Sequence, residues 1–368
     1  MITELEDPTM IGYIHDGGNA LRNVLENEDA FVSPFRSVIE SNDIQEIHFV
    51  GSGTSYNASL YIAKMISRFS HIASYAAYPT RSDPKVDVAC SGYRASQILY
   101  VGVSQSGTSV STIDVLRRAR EAGASTIALT DVMDSPVVEE ADHAIRLFTG
   151  HEVVHVETRG YLATLFEGFL IALDLGRTRG ILAQEEFLSR HESARRFSEE
   201  FDGLIAQAED WYSMHADELQ SLGRAYVCSY GVNECTAEEA ELKLTETFGK
   251  PVRGYELEEM IHGPHYALDE DTFVFFVAPS GECLKRIPVF LDWFKKNQIT
   301  EHVFVITSGS HLGQFGDKSL CLGGDFSEEL SPIAMILPFY IIAARNCISA
   351  GINTRDKPAN RIAFAHLD

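Results

Sequence analysis

The stretch ILYVGVSQSGTSVSTIDVLRRAREAG, residues 98–123, contains the pattern that decides the fold. An apolar run at 97–103 is followed by SQSGTS (104–109) and then by an amphipathic stretch at 110–122. This order predicts a buried β-strand, a polar turn and an α-helix. A turn needs only glycine and one or two polar residues, whereas SQSGTS has four hydroxyl groups and an amide. The additional polar groups indicate that this turn binds a ligand.

The same order of strand, polar turn and helix occurs earlier in the chain. An apolar run at 44–50 precedes GSGTSYN (51–57), and an amphipathic stretch follows at 58–69. Residues 125–131 have the composition of a third strand. Short apolar strands that alternate with helices indicate βαβ units and a parallel sheet.

The second half of the chain repeats this arrangement. Its strands with their turns and its helices are predicted at 224–231, 235–248, 271–282, 283–297 and 302–309. Gly53 and Gly107 are 54 positions apart, and Gly231 and Gly281 are 50 positions apart. We therefore predict a duplicated α/β domain. In the second copy APSGE stands where the first has SQSGT, so only one copy has the hydroxyl cluster.

The predicted architecture is α/β, with two tandem domains that are each a doubly wound, flavodoxin-like parallel sheet flanked by helices. The predicted segments are a helical segment at 1–44, a first domain at 45–178, a helical linker at 179–217, a second domain at 218–349 and a tail at 350–368.

The two polar turns of the first half predict a phosphate site. A helix N-terminus has free N–H groups and the positive end of the helix dipole, and it favours anions. The alternative is that these hydroxyl residues only cap helices and form turns. Two such turns after neighbouring strands favour a phosphate or a sugar hydroxyl as ligand. They lack lysine and arginine and do not match the nucleotide P-loop, so a monophosphate fits better than ATP.

A second candidate site lies in ECTAEEAELKLTETFGKPVRGYELEEMIHGP, residues 234–264. On the predicted helix, Glu246 shares a face with Glu239 and Lys243. This face is either solvated, with Lys243 and Glu246 as a weak pair, or catalytic. His262 precedes a Gly-Pro turn and is either a loop residue or a catalytic one. A carboxylate with a histidine can move a proton next to a carbonyl group.

Composition excludes several classes of function. The net charge of −23 argues against a nucleic-acid partner, which requires a basic surface. The longest apolar run, residues 332–344, is shorter than the ~20 residues of a membrane span, and MITELEDPTM lacks the features of a signal peptide. The six cysteines form no C-x-x-C pair, which favours reduced thiols in the cytoplasm. The histidines have no metal-binding spacing, and we predict no metal and no cofactor.

Four motifs carry a resemblance to a known family. GSGTSYNA resembles C-G-T-S-x-x-A, SQSGTS resembles S-Q-S-G-E-T, HVETRGY (155–161) resembles V-A-S-T-K-A-F, and MIHGP (260–264) resembles L-K-H-G-P. The chain resembles the sugar isomerase (SIS) domain proteins with two tandem SIS domains, over about residues 45–365. It is similar to the isomerase half of glucosamine-6-phosphate synthase, to sugar-phosphate deaminases and to fructosamine-type 6-phosphate deglycases.

The resemblance implies a role for each matching residue. Glu246 would move a proton between C1 and C2 of the sugar, and Lys243 would orient the sugar hydroxyls or Glu246. His262 would assist ring opening and reach the active site of the neighbouring subunit in a homodimer. The residues that would bind the sugar 6-phosphate are Ser55, Ser104, Gln105, Ser106 and Ser109. Further substrate-binding candidates in the same turns are Ser52, Gly53, Thr54 and Thr108.

The chain departs from the family pattern at three places. Glu157 stands where the family has a small serine, and we expect it to change what the sugar pocket accepts. In the tail, Ala363 stands where the synthase has a lysine, and Arg361 is a nearby candidate for substrate contact. There is no room for a glutaminase domain before residue 45, so glutamine-dependent amination is not expected.

These observations favour a deglycase of a fructosamine-type or glucosamine-type 6-phosphate. Such a substrate carries its own amine and can tautomerise without an enzyme lysine. One alternative is an isomerase or deaminase of amino-sugar phosphates. The other is a sugar-phosphate sensor without catalysis, in which Glu246 and His262 would not need to be retained.

Overall fold

The computed structural model describes residues 5, 8–309, 311, 313–324 and 326–355, with the backbone alone at 282 and 283. The described chain forms two compact units. The first unit contains residues 18–151 and 160–199. The second contains the described residues before 18, residues 152–159 and those from 200 onward. The units therefore do not follow the chain in two simple halves, since two short segments of the first half belong to the second unit.

The chain begins with α1 (Met10–His15), which belongs to the second unit. The elements that lie wholly or mainly in the first unit are α2 (Gly17–Glu26), α3 (Glu28–Ser41), β1 (Glu46–Val50), α4 (Thr54–Ser70), β2 (Ala73–Ala77), α5 (Pro84–Cys90), β3 (Ile98–Val103), α6 (Val110–Glu121), β4 (Ser125–Thr130), α7 (Pro136–Glu139), β5 (His143–Arg146) and α8 (Arg159–Thr178).

The division between the units falls within the long helix α9 (Gln184–Met214). The remaining elements of the second unit are α10 (Ala216–Gln220), β6 (Arg224–Ser229), α11 (Glu234–Phe248), β7 (Val252–Glu256), β8 (Thr272–Val277), α12 (Glu282–Asn297), β9 (Val303–Ser308), β10 (Leu320–Leu322), α13 (Ser331–Met335) and α14 (Leu337–Ser349).

The first unit is built on a five-stranded parallel sheet with the order β2-β1-β3-β4-β5. Every residue of the central strand β3 is buried, as expected for a parallel strand covered on both faces. The order reverses between β1 and β3, which pair directly, with Val50 opposite Gly102. In sheets of this kind ligands bind at the carboxyl ends of the strands beside such a reversal.

The second unit repeats this topology. Its parallel sheet has the order β7-β6-β8-β9-β10, so β6 and β8 correspond to β1 and β3. The four turn glycines Gly53, Gly107, Gly231 and Gly281 all have positive φ, between 56° and 77°. Glycine adopts this conformation without the steric cost of a Cβ atom. The predicted fold of two flavodoxin-like parallel sheets is confirmed.

Four of the strands were not predicted from the sequence, and each of these lies at the edge of its sheet. They are β2, β5, β7 and β10. They are short and, except for β10, partly polar, with Arg253 in β7 and Arg146 in β5 exposed. An edge strand is buried on fewer sides, so its sequence need not be continuously apolar.

The apolar segment at 331–349 is part of the core of the second unit. It is long and apolar enough to cross a membrane, but 89% of its most apolar window is buried inside the protein. The described residues 331–349 divide into α13 and α14, and α14 packs against α11. This burial is typical of a core helix. Because α14 packs against α11, charged residues on α11 are also removed from solvent.

Candidate functional site

The two hydroxyl-rich turns follow adjacent strands of the first unit. Residues 51–53 follow β1 and residues 104–109 follow β3, at the point where the strand order reverses. The helices α4 and α6 begin directly after these turns. The structure therefore brings the two predicted phosphate loops to the same end of the same sheet.

Glycine is required in both turns for close packing. A Cβ atom on Gly51 would lie 2.9 Å from the carbonyl carbon of Ser55, at the start of α4. A Cβ atom on Gly107 would lie 1.8 Å from Oγ of Ser135, and the φ of Gly107 is +70°. In each turn the backbone thus lies so close to a neighbouring helix or loop that a side chain larger than that of glycine would clash.

The helix-capping interpretation of the hydroxyl residues does not hold for the N-cap positions of α4 and α6. The N-cap of α4 is Gly53, and the N-cap of α6 is Ser109, whose side chain makes no capping hydrogen bond. The hydroxyl of Ser109 instead accepts a hydrogen bond from Thr112, at 3.1 Å. Both helices therefore present N-terminal N–H groups that their N-cap side chains do not use, which is the arrangement that favours an anion.

The 104–109 turn is held mainly through its backbone. The N–H of Ser104 donates to Leu129 O at 3.0 Å, and the N–H of Asp131 donates to Gln105 O at 3.2 Å. The side-chain amide of Gln105 donates to Oγ1 of Thr149, at 3.0 Å. Ser106 is exposed. The backbone is fixed from the sheet side. The hydroxyls of the exposed residues Ser106 and Thr108 hydrogen-bond each other at 3.0 Å, and Ser104 is buried.

A second group of predicted residues meets in the second unit, around Lys243. Its Nζ lies 2.6 Å from Oε1 of Glu246 and 3.4 Å from Oε1 of Glu239. The Tyr340 hydroxyl on α14 donates to Glu239, at 3.1 Å. Lys243 is 2% exposed and Glu239 is fully buried. The interpretation of this helix face as solvated is therefore wrong for Glu239 and Lys243, whereas the side chain of Glu246 is 29% exposed.

Glu157 also belongs to this cluster, although its segment precedes α11 by many residues. It interacts electrostatically with Lys243, Glu239 and Glu246. Burial, and next the charge of Glu152, raise the pKa of Glu157 to about 8. A carboxyl group in this environment keeps its proton near neutral pH. We name Glu157, Glu239, Lys243 and Glu246 the Lys243 cluster.

The charge state of Lys243 follows from its neighbours. Burial by itself lowers the pKa of a lysine, but the charges of Glu239 and then Glu246 outweigh burial here and raise the pKa of Lys243 above its ordinary value. The amine is therefore an ammonium ion at neutral pH. In this state it orients carboxylates and cannot act as a nucleophile, which requires a neutral amine.

His262 lies at the surface of the second unit, after a short 3₁₀ helix (Glu259–Ile261). Its backbone N–H donates to Glu259 O, at 3.0 Å. Among the described residues its ring makes no hydrogen bond, and it lies within electrostatic range of Glu258. The structure does not place His262 among the hydrogen-bonded members of the Lys243 cluster. Arg361 and Ala363 lie outside the described residues.

Two residues were not identified from the sequence as functional candidates: Glu239 of the Lys243 cluster, and Tyr340, which donates a hydrogen bond to Glu239. Glu239 could have been found, because Glu239 and Lys243 are four positions apart and Lys243 and Glu246 are three apart, and both spacings place side chains together on a helix. Tyr340 gave no signal, since it lies in a continuous apolar run. Among the described residues no group of three or more His, Cys, Asp or Glu side chains is arranged to hold a metal ion.

These features define a class of protein: a duplicated α/β protein with two hydroxyl-rich turns at one end of the first sheet and a largely buried lysine–glutamate cluster in the other unit. Residues 42–170 match the family model of the SIS domain. The chain therefore contains a SIS domain, and its two sheets have the fold of tandem SIS-domain proteins.

Comparison with curated proteins finds relatives of the same kind. Glutamine–fructose-6-phosphate aminotransferase (isomerizing) of Thermus thermophilus is 29% identical over 351 residues, which are 93% of this chain and 55% of that protein. The enzyme of the same name from Caldanaerobacter subterraneus is 25% identical over 362 residues, 95% of this chain and 57% of that protein. The chain thus spans a little over half the length of these relatives.

Solved structures share the fold over nearly the whole chain. The C-terminal domain of glucosamine-fructose-6-phosphate aminotransferase from Francisella tularensis superposes with a TM-score of 0.81 at 18% identity, covering 96% of this chain and 99% of that one. Glucosamine-6-phosphate deaminase from Thermotoga maritima superposes with a TM-score of 0.73 at 20% identity, covering 95% and 97%.

Proposed function

We propose that this protein is a sugar-phosphate enzyme that moves a proton between neighbouring carbon atoms of a sugar 6-phosphate. The observation that carries this proposal is the 2.6 Å contact between the Lys243 ammonium and the Glu246 carboxylate in a largely buried cluster. An ammonium ion at this distance orients the carboxylate through a charge-assisted hydrogen bond. A positioned carboxylate can abstract a proton next to a carbonyl group.

Within this class we propose a deglycase of a sugar-amine 6-phosphate. Lys243 is held as an ammonium ion by Glu239 and Glu246, and Ala363 replaces the lysine of the related synthase. A substrate that already carries its amine does not need an enzyme lysine. Glu246 takes the proton from the carbon that bears the amine, the resulting enolamine is protonated at the next carbon, and water releases the amine from the imine.

An isomerase or deaminase of amino-sugar phosphates is the second candidate, favoured by the deaminase among the similar structures. A sensor without catalysis is disfavoured, because burying Glu239 and Lys243 costs free energy of folding that binding alone does not require. We also propose a homodimer, supported by the exposed position of His262. Sedimentation equilibrium that gives the mass of one chain contradicts the dimer.

The proposed function is tested by incubating the protein in D₂O with fructosamine 6-phosphate, glucosamine 6-phosphate and fructose 6-phosphate, and following each by NMR. Release of the amine together with a hexose 6-phosphate supports the deglycase. Interconversion of hexose phosphates alone, or loss of ammonia from glucosamine 6-phosphate alone, supports the second candidate. Saturable binding with neither turnover nor deuterium incorporation overturns the catalytic proposal.

The phosphate loops lead to a separate prediction. Replacing Ser104 and Ser106 together by alanine is expected to raise KM for a 6-phosphate substrate by about 10²-fold, because two hydrogen bonds to a charged group are lost at about 1.5 kcal/mol each. Unphosphorylated sugars should be affected little. Ser111→Ala, at an exposed position on α6, is the matched control. Equal weakening of phosphorylated and unphosphorylated ligands contradicts the phosphate assignment.

A further inference from the structure

The chain leaves the first sheet at the end of β5, which is the last strand of that sheet. Leu147 still belongs to the sheet edge, since its N–H donates to Thr130 O on β4, at 2.8 Å. The next residue, Phe148, is held from two helices instead. Its N–H donates to Oε1 of Glu167 on α8, at 2.6 Å, and its carbonyl oxygen accepts from Nδ2 of Asn23 on α2, at 3.0 Å. Both polar backbone groups of Phe148 are therefore fixed by side chains.

Glu167 is an unusual residue for its place in the sequence. It lies near the middle of α8, in the otherwise largely apolar stretch 160–173, and its side chain is only 1% exposed. Burying a carboxyl group costs free energy unless the group is hydrogen-bonded. Among the described residues, the N–H of Phe148 is the group that hydrogen-bonds this side chain. The contact with Phe148 therefore accounts for a glutamate inside an apolar helix.

The residue that follows Phe148 contacts the second hydroxyl-rich turn. The Thr149 side chain is fully buried, and its hydroxyl oxygen accepts from the side-chain amide of Gln105, at 3.0 Å. The backbone of Gln105 is fixed separately, by hydrogen bonds from the end of β4. The direction of the Gln105 side chain thus depends on Thr149, and Thr149 is bonded directly to the residue that Glu167 holds.

We propose that Glu167 is a positioning residue of the phosphate site, which acts through Thr149 on the side chain of Gln105. This inference rests on the proposed function and deepens it, because Gln105 is one of the residues that would bind the 6-phosphate. An amide NH₂ group has two N–H donors. Since one of them is directed to Thr149, the direction of the other is set as well. A donor that is oriented in advance loses less conformational entropy when it binds an anion.

The test measures the dissociation constant for fructose 6-phosphate by titration calorimetry, with fructose as the unphosphorylated ligand, and KM and kcat with the best substrate. Glu167→Leu is expected to weaken fructose 6-phosphate binding by about tenfold, the effect of one hydrogen bond to a charged group, and to raise KM with little change in kcat. Thr149→Val, which removes the acceptor of Gln105, should have the same effect. In a Thr149→Val background, Glu167→Leu should weaken binding little further, because both changes act on one side chain.

Glu167→Gln is the conservative variant, which should bind fructose 6-phosphate like the wild-type protein. Burial raises the pKa of Glu167 well above its ordinary value, so the side chain is neutral near pH 7, and a glutamine oxygen can accept from Phe148 in the same way. A purely structural role would lower the melting temperature of Glu167→Leu and leave its dissociation constant unchanged. If Glu167→Leu does not fold, Asn23→Leu, which releases the carbonyl oxygen of Phe148, replaces it with the same expected weakening.

Glu241→Leu is the matched control, since Glu241 also accepts from the backbone of an edge strand, the N–H of Gly254 in β7, at 2.7 Å. It lies in the unit that lacks the two hydroxyl-rich turns, so its variant should keep the wild-type affinity for fructose 6-phosphate.

The outcomes separate this inference from the proposed function. Wild-type affinity in Glu167→Leu, equal weakening of fructose and fructose 6-phosphate, or full additivity with Thr149→Val overturns the inference and leaves the proposed function standing. Binding of fructose 6-phosphate without turnover of any sugar phosphate overturns the proposed function, and the dissociation constants then decide the inference alone. A wild-type protein that binds no sugar phosphate overturns both.

Discussion

Replacing Glu246 with glutamine is expected to lower kcat by about 10²–10⁴-fold, the usual contribution of a positioned acid–base group. Glutamine keeps the shape of the side chain and can still accept a hydrogen bond from Lys243, but it cannot take a proton from carbon. Lys243 retains Glu239 as its partner at 3.4 Å, so the fold should tolerate the change. The KM for the sugar phosphate should change little, because the proposed role of Glu246 is at the reacting carbon and not at the phosphate group.

The measurement is steady-state turnover together with deuterium incorporation from D₂O at the carbon next to the carbonyl group. Both should be lost in Glu246→Gln and kept in Glu238→Gln, which lies on the same helix but is near Glu241 and Arg253. If Glu246→Gln retains deuterium incorporation at the wild-type rate, Glu246 is not the base. If it loses turnover but keeps incorporation, Glu246 acts only in the later release of the amine.

The central strands of each sheet and the helices that follow them could be predicted, because the burial of each one leaves a pattern within its own sequence. Strands such as β3 are continuous apolar runs because they are covered on both faces, and α6 and α11 show helical periodicity. The turns after β1 and β3 could be identified as ligand loops because parallel strands end together at one edge. The edge strands β2, β5, β7 and β10 left weaker signals, since their partly exposed faces allow mixed composition.

The candidate site could be predicted only where its residues are close in sequence. Lys243 and Glu246 lie one turn apart on α11, so their pairing follows from helix geometry. Whether that helix face was solvated depended on α14, which is distant in the chain and covers Glu239 through Tyr340. The position of Glu157 depends on the packing of residues 152–159 with the second unit. No local pattern in HVETRGY indicates that packing.

Replacing Lys243 with methionine is expected to lower the free energy of unfolding by about 3–5 kcal/mol, the usual cost of removing one partner from a buried ion pair. Lys243 is 2% exposed and Glu239 fully buried, so water cannot replace the lost ammonium. Glu239, which is fully buried, should then hold a proton in the folded state. Turnover should also be lost, because Glu246 would lose the ammonium ion that orients it, 2.6 Å away in the wild-type protein.

The protonation states of the cluster determine whether stability rises or falls with pH in Lys243→Met. In the wild-type protein the raised pKa of Lys243 stabilises the fold at every pH below its ordinary value of 10.5, so this group adds no pH dependence between 5 and 8. In Lys243→Met, carboxyl groups that hold protons only in the folded state make stability fall as pH rises through this range. Urea unfolding at pH 5, 7 and 8 measures the difference, which should be smallest at pH 5.

The control is the triple variant Lys243→Met, Glu239→Gln, Glu246→Gln, in which no charge of the Lys243–Glu239–Glu246 group remains. Replacing a whole buried ion pair by neutral groups is often close to neutral for stability, whereas removing one partner is costly. The triple variant should therefore recover much of the stability lost in Lys243→Met and should not show the additional fall in stability between pH 5 and 8, while remaining inactive. A triple variant as unstable as Lys243→Met would mean that the lost packing of the lysine side chain, and not its charge, is what holds this part of α11 against α14.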